Sequence, residues 1–247
     1  MNKELDFVKG MFDKIAHRYD FLNRLLSLRQ DVAWRKKMVT SAAPAPGARI
    51  LDVACGTCDV ALAVSRHLRG RARITGLDFS HAMLRTGRRK LGHKKNHTIG
   101  LVNADALFLP FNPGTFDTVF IAFGIRNIMD RPRALSQFHT ALKHGGKLAV
   151  LELTTPRSRL FKTLYLAYFK KILPLIGGFF SKDAHAYHYL PASVLHFPAP
   201  TAFAALMSDA GFSHVRFKPM TFGIVTLFVG TRLITPADKD RHQCNPM

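Results

Sequence analysis

Apolar residues recur at helical spacing throughout the first 40 residues, and this pattern predicts a helical N-terminal region. One face of the predicted helices carries Phe12, Ile15, Ala16, Tyr19, Leu22, Leu25, Leu26, Trp34 and Met38. The segment from Pro44 to Gly47 then interrupts the pattern. Because proline and glycine disfavour helix interiors, we expect the helices to end before this segment.

From residue 49 onward, short apolar runs alternate with helical patterns. The apolar runs predict strands at 49–53, 74–77, 98–102, 118–123, 147–153, 214–218 and 224–231. The helical patterns lie at 60–68, 80–91, 131–142 and 201–210. Ser80 is a predicted N-cap, and the glycines at 145–146 are predicted to end the helix that begins at Arg131. Such alternation predicts an α/β fold: a doubly wound, Rossmann-like sheet, mostly parallel, with an antiparallel C-terminal hairpin.

Polar side chains stand at or just beyond the carboxyl ends of the predicted parallel strands. These residues are Asp52, Asp78, Asn103 and Arg126. Because ligands of open α/β sheets bind at these ends, we expect the four side chains to surround a binding site.

The turn after the first strand, residues 54–59, consists mainly of small residues (A-C-G-T-C-D). Small residues let the backbone approach a ligand, and the next helix offers free N–H groups. The turn lacks the G-x-G-x-x-G pattern that a pyrophosphate requires, and its carboxylates, Asp52 and Asp59, favour a cationic ligand. Asp78 can accept hydrogen bonds from ribose hydroxyls. The pattern favours a nucleoside ligand without a phosphate, with Asn103 or Asp105 near its adenine.

Cys55 and Cys58 form a C-x-x-C pair in this turn, and Cys244 is the third cysteine. Three cysteines cannot build a disulfide framework, which favours a reducing compartment. The pair allows three interpretations: a redox pair, half of a metal site, or two small residues in a tight turn. Because the chain has no second C-x-x-C and no paired-histidine motif, we expect the third, and no metal site.

The composition excludes a disordered chain, since 47% of the residues are apolar. Lys and Arg number 36 against 16 Asp and Glu, which gives a net charge of +20. This charge attracts nucleic acid, an anionic membrane surface or phosphate-rich ligands, and it does not distinguish among them.

Two segments bear on targeting and on membranes. The charged residues 1–10 do not match a secretory signal. The apolar stretch 160–180 carries Lys170 and Lys171 near its centre, which predicts a surface-lying amphipathic helix or a lid.

Several longer motifs carry a resemblance, and the pair A-F-G-I-R-N and T-x-G-I-V is its most specific part. They are F-D-x-I-A-x-x-Y-D-x-x-N at 12–23, S-x-x-x-D-x-x-W-R at 27–35, N-A-D-x-x-x-L-P-F at 103–111, A-F-G-I-R-N at 122–127, L-K-x-G-G at 142–146, L-E-L at 151–153, Y-x-Y-L-x-x-S-V at 187–194 and T-x-G-I-V at 221–225. With these motifs the chain resembles the UbiE/MenG-type quinone-biosynthesis C-methyltransferases, a branch of the class I methyltransferases, over about residues 8–232. The family usually has glycine at the positions of Cys55 and Cys58.

The resemblance implies a class I methyltransferase fold that uses S-adenosylmethionine and no metal to methylate the ring of a polyprenyl quinol. The residues expected to bind the cofactor are Asp52, Gly56, Thr57, Asp78, Asn103, Ala104, Asp105 and Ala122. Tyr19, Arg126 and Asn127 are expected to face the quinol ring and to be catalytic.

Methylation at a ring carbon requires that a hydroxyl proton is removed and that the oxyanion is stabilised. Arg126 is a fixed charged donor that can hold the oxyanion. A water positioned by Arg126 and Asn127 can accept the proton, and Tyr19 can donate a hydrogen bond to the other ring oxygen. The alternatives are a surface pair between Arg126 and Asp130, a half-buried core position for Tyr19, and a helix N-cap at Asn127.

We expect a single methyltransferase domain over residues 1–247. Within it, 1–45 is expected to form a helical extension over the cofactor, 155–198 a substrate lid that faces the membrane, and 235–247 a disordered tail. Expected partners are a polyprenyl quinol, an anionic membrane surface, and a second copy or a quinone-biosynthesis complex, but not nucleic acid. The expected location is cytoplasmic, at the inner face of the cell membrane.

Three alternative functions stay open at this point: an RNA methyltransferase, an NAD-binding dehydrogenase and a non-catalytic protein of this fold. The choice between a naphthoquinol and a benzoquinol substrate stays open as well.

Overall fold

The N-terminal region forms three helices in a computed structural model that describes residues 3–93, 98–168 and 184–233. Helix α1 spans Lys3–Ile15, α2 spans Tyr19–Leu26 and α3 spans Gln30–Ala42. Helix α3 packs on the sheet through Trp34, Met38, Val39 and Ala42. The prediction of a helical region that ends before Pro44 is therefore confirmed.

Strands and helices then alternate. The first half contains β1 (Arg49–Val53), α4 (Asp59–His67), β2 (Arg73–Asp78), α5 (His81–His93), β3 (Ile99–Asn103), β4 (Phe116–Ala122), α6 (Arg131–Ala141) and β5 (Leu142–Leu153). The second half contains α7 (Arg159–Ala167), α8 (Ala184–Leu195), α9 (Pro200–Asp209), β6 (Ser213–Met220) and β7 (Val225–Thr231). Short 3₁₀ helices follow β4 at Ile125–Asn127 and β6 at Thr221–Gly223.

The seven strands form one sheet in the order β3-β2-β1-β4-β5-β7-β6. The first five are parallel, and β7 pairs antiparallel with both β5 and β6. The predicted doubly wound sheet with an antiparallel C-terminal hairpin is confirmed. The chain order reverses between β1 and β4, so a crevice opens at the carboxyl ends of these strands.

Each face of the sheet is covered by helices. The neighbouring residues Ile50 and Leu51 point to opposite faces and belong to different core clusters. Helices α3, α4 and α5 cover one face, and α6 and α9 cover the other. This rigid three-layer arrangement fixes the loops at the strand ends.

Two local predictions have different outcomes. Ser80 caps α5 as expected, because its Oγ accepts a hydrogen bond from the Met83 N–H at 3.1 Å. The predicted helix at 131–142 is confirmed to within one residue, since α6 ends at Ala141. The prediction that the glycines at 145–146 end it is wrong, because β5 begins at Leu142 rather than at Lys147. Leu142 pairs with Phe116 across a register shift, so Gly145, with a φ of +78°, lies within the strand.

The segment that was predicted to lie on a surface is described only in part. Helix α7 covers its beginning, and 169–183 lies outside the described residues, as do 234–247, which include the predicted tail. Among the described residues, no single helix is long and apolar enough to cross a membrane. Tyr189–Leu195 and Pro200–Asp209 pass that test only when taken together, across a bend of 70°.

Candidate active site

The turn after β1 is held in an uncommon backbone conformation. Ala54, Gly56 and Cys58 all have positive φ angles, which only glycine adopts without strain. The Gly56 N–H donates a hydrogen bond to Asp78 Oδ2 at 2.8 Å, and the Cys58 N–H donates one to the Cys55 carbonyl at 2.8 Å. The carboxylate at the end of β2 thus fixes the turn that follows β1.

Asp78 is buried at the junction of two loops. Its other oxygen, Oδ1, accepts a hydrogen bond from the Ser80 N–H at 2.8 Å. Burial raises the pKa of Asp78 to about 6, although these backbone donors oppose the shift. A carboxylate in this position can accept hydrogen bonds from the hydroxyl groups of a ligand at the edge of the sheet.

A cavity of about 80 Å³ opens beside this carboxylate, at the predicted crevice. Its walls are largely apolar, and its acidic side chains are Asp78 and Asp105. Of the eight predicted cofactor residues, five line it: Gly56, Asp78, Ala104, Asp105 and Ala122. Asn127 lines it as well. Apolar walls suit a base, and the acidic lining suits a cationic ligand better than a pyrophosphate.

The other three predicted cofactor residues do not line this cavity. Asn103 instead donates from Nδ2 to the Asp78 carbonyl at 2.8 Å. Asp52 lies under the turn, where Oδ2 accepts a hydrogen bond from the Ala61 N–H at 3.0 Å and burial raises its pKa to about 8. Its Oδ1 is buried without a hydrogen-bond partner among the described residues.

Thr57, the third of them, belongs to a charged network that joins the N-terminal helices to the turn. Its hydroxyl donates to Asp20 of α2 and accepts from Lys90 Nζ of α5 at 3.3 Å. Lys90 also bridges Asp20 and Asp59, at 2.6 and 2.5 Å. Burial opposes the charge of Asp59, but Arg35, Lys90 and Arg24 outweigh it and lower its pKa to about 2.

A second, larger cavity of about 170 Å³ lies between the N-terminal helices, α7, α8 and the ends of β4 and β5. Most of its walls are apolar or aromatic. It meets the smaller cavity at Phe12, Tyr19 and Phe123, which line both. Helices distant in the sequence thus form one chamber next to the sheet-end cavity.

Arg126 brings a fixed positive charge to this larger cavity. It follows β4 in the 3₁₀ helix, is only 8% exposed, and donates from Nη1 to Glu152 Oε1 at 2.7 Å and to the Phe123 carbonyl at 2.6 Å. Burial disfavours its charge, but the carboxylate of Glu152 outweighs this effect and raises the pKa of Arg126. Asp130 instead caps α6, where it accepts from the Arg133 N–H at 3.0 Å. The alternative of an Arg126–Asp130 surface pair is therefore wrong.

Tyr19 and Asn127 occupy the boundary between the cavities. Tyr19 begins α2 and is half-buried, and burial raises its pKa, so its hydroxyl stays protonated at neutral pH. Asn127 Oδ1 accepts a hydrogen bond from the Tyr189 hydroxyl at 3.1 Å. Asn127 ends the 3₁₀ helix and is not the N-cap of α6.

Two functional features of this chamber were not anticipated. Glu152 is fully buried in β5 and also accepts the Arg126 N–H at 3.1 Å, so both of its oxygens hold Arg126. Asp31 and Arg35 of α3 form a buried pair at 2.5 Å on the cavity wall. The available signal for Glu152 was a carboxylate within an apolar strand pattern, L-E-L, since such a group needs a buried partner.

The cysteines of the turn are both buried and reduced. Cys55 packs against Gly76, where an added Cβ would lie 2.9 Å from its sulfur, and Cys58 packs likewise against Gly87. These contacts fit the interpretation as small residues in a tight turn. Among the described residues, no group of three or more His, Cys, Asp or Glu side chains is placed to hold a metal ion.

Comparison with known proteins identifies the family. The model of the ubiE/COQ5 methyltransferase family matches residues 1–232. The chain belongs to the ubiE/COQ5 methyltransferase family. The ubiquinone/menaquinone biosynthesis C-methyltransferase UbiE of Geobacter sulfurreducens is 47% identical over 91% of this chain and 88% of its own length. The demethylmenaquinone methyltransferase of Thermus thermophilus is 46% identical over 90% of this chain and 100% of its own.

Solved structures confirm the fold of a class I methyltransferase. The Haloferax volcanii methyltransferase solved with the Trm112 activator superimposes with a TM-score of 0.66 at 16% identity, over 90% of this chain and 98% of its own. Phosphoethanolamine N-methyltransferase 2 of Haemonchus contortus, in complex with S-adenosyl-L-methionine, gives 0.65 at 14% identity, over 90% of this chain and 60% of its own. Family membership makes this chain a methyltransferase and disfavours the dehydrogenase, RNA methyltransferase and non-catalytic alternatives.

Proposed function

We propose that this methyltransferase transfers a methyl group from S-adenosylmethionine to a ring carbon of a polyprenyl quinol. The observation that carries the proposal is the pair of adjoining cavities: a small one with acidic residues at the sheet end, and a large apolar one with a buried arginine. The names of the relatives, which specify ubiquinone, menaquinone and demethylmenaquinone, support a quinol substrate.

The smaller cavity fits S-adenosylmethionine. Asp78 would accept the ribose hydroxyls, Ala104 and Asp105 would border the adenine, and Gly56 would allow close backbone approach. Asp52 supports the turn from beneath: its raised pKa of about 8 leaves the carboxyl protonated at neutral pH, and its Oδ2 accepts the Ala61 N–H. When bound, the cofactor supplies a methyl group on a sulfonium, which is already a strong electrophile.

The larger cavity would receive the quinol ring and part of its prenyl chain. Arg126 holds the oxyanion that forms when a ring hydroxyl loses its proton, and Glu152 keeps the guanidinium in place. A water held by Arg126 and Asn127 takes up that proton. Tyr19 donates a hydrogen bond to the other ring oxygen, and it aligns the ring with the cofactor because it borders both cavities.

The remaining parts of the chain support the same reaction. Residues 1–45 cover the cofactor, since Asp13 and Asp20 on α1 and α2 accept hydrogen bonds from the Ser80 and Thr57 hydroxyls. The described parts of the predicted lid, 155–168 and 184–198, would close over the quinol, since Tyr165 and Leu190 line the larger cavity. Because a polyprenyl quinol resides in the bilayer, the enzyme works at the inner face of the cell membrane, held by its +20 charge.

Calorimetry with S-adenosylmethionine, followed by assay of methyl transfer under reducing conditions, tests the proposal. Demethylmenaquinol and the benzoquinol equivalent are offered separately, and the methylated product is identified by mass. We expect the cofactor to bind and one quinol to be methylated. Binding without methylation of either quinol would refute the substrate class, and absence of binding would refute the cofactor assignment.

A further inference from the structure

The turns beside the larger cavity expose large apolar side chains on strained backbone. Leu28 and Phe222 are 82% and 69% exposed, and their φ angles are +50° and +58°. Their neighbours Arg29 and Thr221 also have positive φ angles. Glycine or asparagine ordinarily occupies such positions, so neither folding nor burial accounts for a leucine and a phenylalanine there.

These two turns lie together, and α7 extends the apolar surface that they form. The Thr221 hydroxyl donates to Gln30 Oε1 at 3.0 Å, which joins the turn before α3 to the turn before β7. The ring of Phe222 stacks on Phe161 of α7 with their centroids 4.3 Å apart. We call the resulting surface the apolar rim; it consists of Leu28, Leu160, Phe161, Leu164 and Phe222.

The apolar rim borders the larger cavity. Each of its three segments also supplies a lining residue: Leu26 two residues before Leu28, Ile224 two residues after Phe222, and Tyr168 directly after α7. The Tyr168 hydroxyl donates to the Leu26 carbonyl at 3.1 Å, so two of these segments are tied directly together. A ligand that enters between the segments would pass from the apolar rim into the cavity.

The charged side chains on the segments of the apolar rim have one sign. Arg29 is exposed beside Leu28, and Arg157, Arg159 and Lys162 are exposed at the beginning of α7 or just before it. The stretches 24–30, 154–168 and 213–230 contain no aspartate or glutamate. Apolar side chains on segments whose charged residues are all basic match a bilayer with anionic headgroups, whereas a second copy of this surface would repel the first.

We propose that the apolar rim inserts into the anionic leaflet of a membrane and positions the larger cavity over the bilayer. This inference rests on the proposed function, because it gives the polyprenyl quinol its entry route. Leu28 and Phe222 enter the acyl region, the basic residues contact headgroup phosphates, and the ring of the quinol rises between the segments while its tail stays in lipid. Membrane insertion explains why the turns are strained, because the strained backbone directs the side chains of Leu28 and Phe222 outward.

The test compares vesicle binding by the full chain and by Leu28→Asn/Phe222→Asn. Asparagine tolerates left-handed backbone, so the variant is expected to fold, which circular dichroism checks. With vesicles of equal parts phosphatidylglycerol and phosphatidylcholine, we expect the variant to bind at least about tenfold more weakly, since two large apolar side chains no longer insert. Binding by the unaltered chain should weaken on pure phosphatidylcholine and at high salt. Phe108→Asn/Met129→Asn, which alters exposed apolar residues elsewhere, is the matched control and should bind like the unaltered chain.

A second pair, Leu160→Asn/Leu164→Asn, tests the α7 side of the apolar rim independently and should also weaken binding. Turnover supplies another readout: the first variant should keep its activity on a short-chain, water-soluble quinol and lose it on a long-chain quinol in vesicles. Equal vesicle binding by the unaltered chain and both rim variants would overturn the inference. So would a change of oligomeric state in the rim variants, which would identify a second copy as the occupant. If vesicle binding behaves as expected but no quinol is methylated, the apolar rim stands and the proposed function fails.

Discussion

The two cavities are built in different ways. The smaller one is made mostly of loops at the carboxyl ends of β1, β2, β3 and β4, so the sheet fixes its shape. The larger one is assembled from helices of both ends of the chain around Arg126. In the proposed function, the sheet-end cavity binds the cofactor, whereas the helical chamber determines which acceptor is methylated. The difference assigns chemistry common to methyltransferases to the first cavity and substrate choice to the second.

The sharpest test of this division is Arg126→Ala. Because Arg126 lines only the larger cavity, we expect turnover to fall by about 10²–10³-fold, the effect of losing one oxyanion donor, while cofactor affinity stays within about threefold. Product formation and calorimetry measure the two quantities. Arg133→Ala, which removes a guanidinium that lies over Phe108 at the surface, is the control. A comparable loss of cofactor affinity would show that the cavities do not act separately.

Glu152→Gln tests whether turnover requires the guanidinium of Arg126 to be held in position by Glu152. The substitution keeps the shape of the side chain but removes the charge that pairs with Arg126, and a misplacement of about 1 Å can cost about 10²-fold in rate. We expect kcat to fall by about that factor with little change in the KM for the cofactor. Stability should fall too, since breaking a buried ion pair costs about 3–5 kcal/mol.

A purely structural role for Glu152 predicts a different result. In that case kcat per folded molecule would stay unchanged in both Glu152→Gln and Glu152→Asp once the loss of stability is corrected for. Partial recovery of kcat in Glu152→Asp would instead confirm a positioning residue.

Asp78→Asn probes the smaller cavity alone. At pH 8 we expect cofactor affinity to fall about tenfold, because hydrogen bonds to a charged acceptor are worth about 1.5–3 kcal/mol. The pKa of Asp78 is raised to about 6 from an ordinary 3.8, so in the unaltered chain affinity should rise as pH rises through 6. The variant should lack this rise. Asp130→Asn, the same change at the N-cap of α6, should keep the pH dependence.

The raised pKa of Asp78 also predicts in which direction the free energy of unfolding changes with pH. Between pH 3.8 and about 6, the folded chain keeps a proton on Asp78 that the unfolded chain has released. The contribution of this group to the free energy of unfolding therefore decreases as pH rises through that window. Chemical denaturation of Asp78→Asn against the unaltered chain measures it, and a steeper pH dependence in the variant would contradict the assignment.

Sequence patterns located the sheet but only part of the candidate site. Strand ends follow from hydrophobic periodicity, so the positions of Gly56, Asp78 and Ala122 around one crevice were predictable. The Arg126–Glu152 pair joins the 3₁₀ helix after β4 to β5, and Asp31 faces the chamber from α3. Such pairings depend on how separate elements pack, and local spacing does not contain that information. Cofactor binding stays a prediction for all eight residues, and three of them, Thr57, Asn103 and Asp52, do not line the cavity.

The smallest effect is expected where the two cavities meet. Tyr19→Phe keeps the ring that borders both cavities and removes only the hydroxyl, whose single hydrogen bond is worth about 0.5–1.5 kcal/mol. We expect turnover to fall by about three- to tenfold, with both the quinol and the cofactor still bound. Tyr168→Phe, which changes a hydroxyl that donates to the Leu26 carbonyl, should alter the KM for the quinol and leave the cofactor unaffected. If Tyr19→Phe matches Tyr168→Phe in every parameter, Tyr19 is only a wall of the larger cavity, and the alignment of the two ligands must come from Phe12 and Phe123 instead.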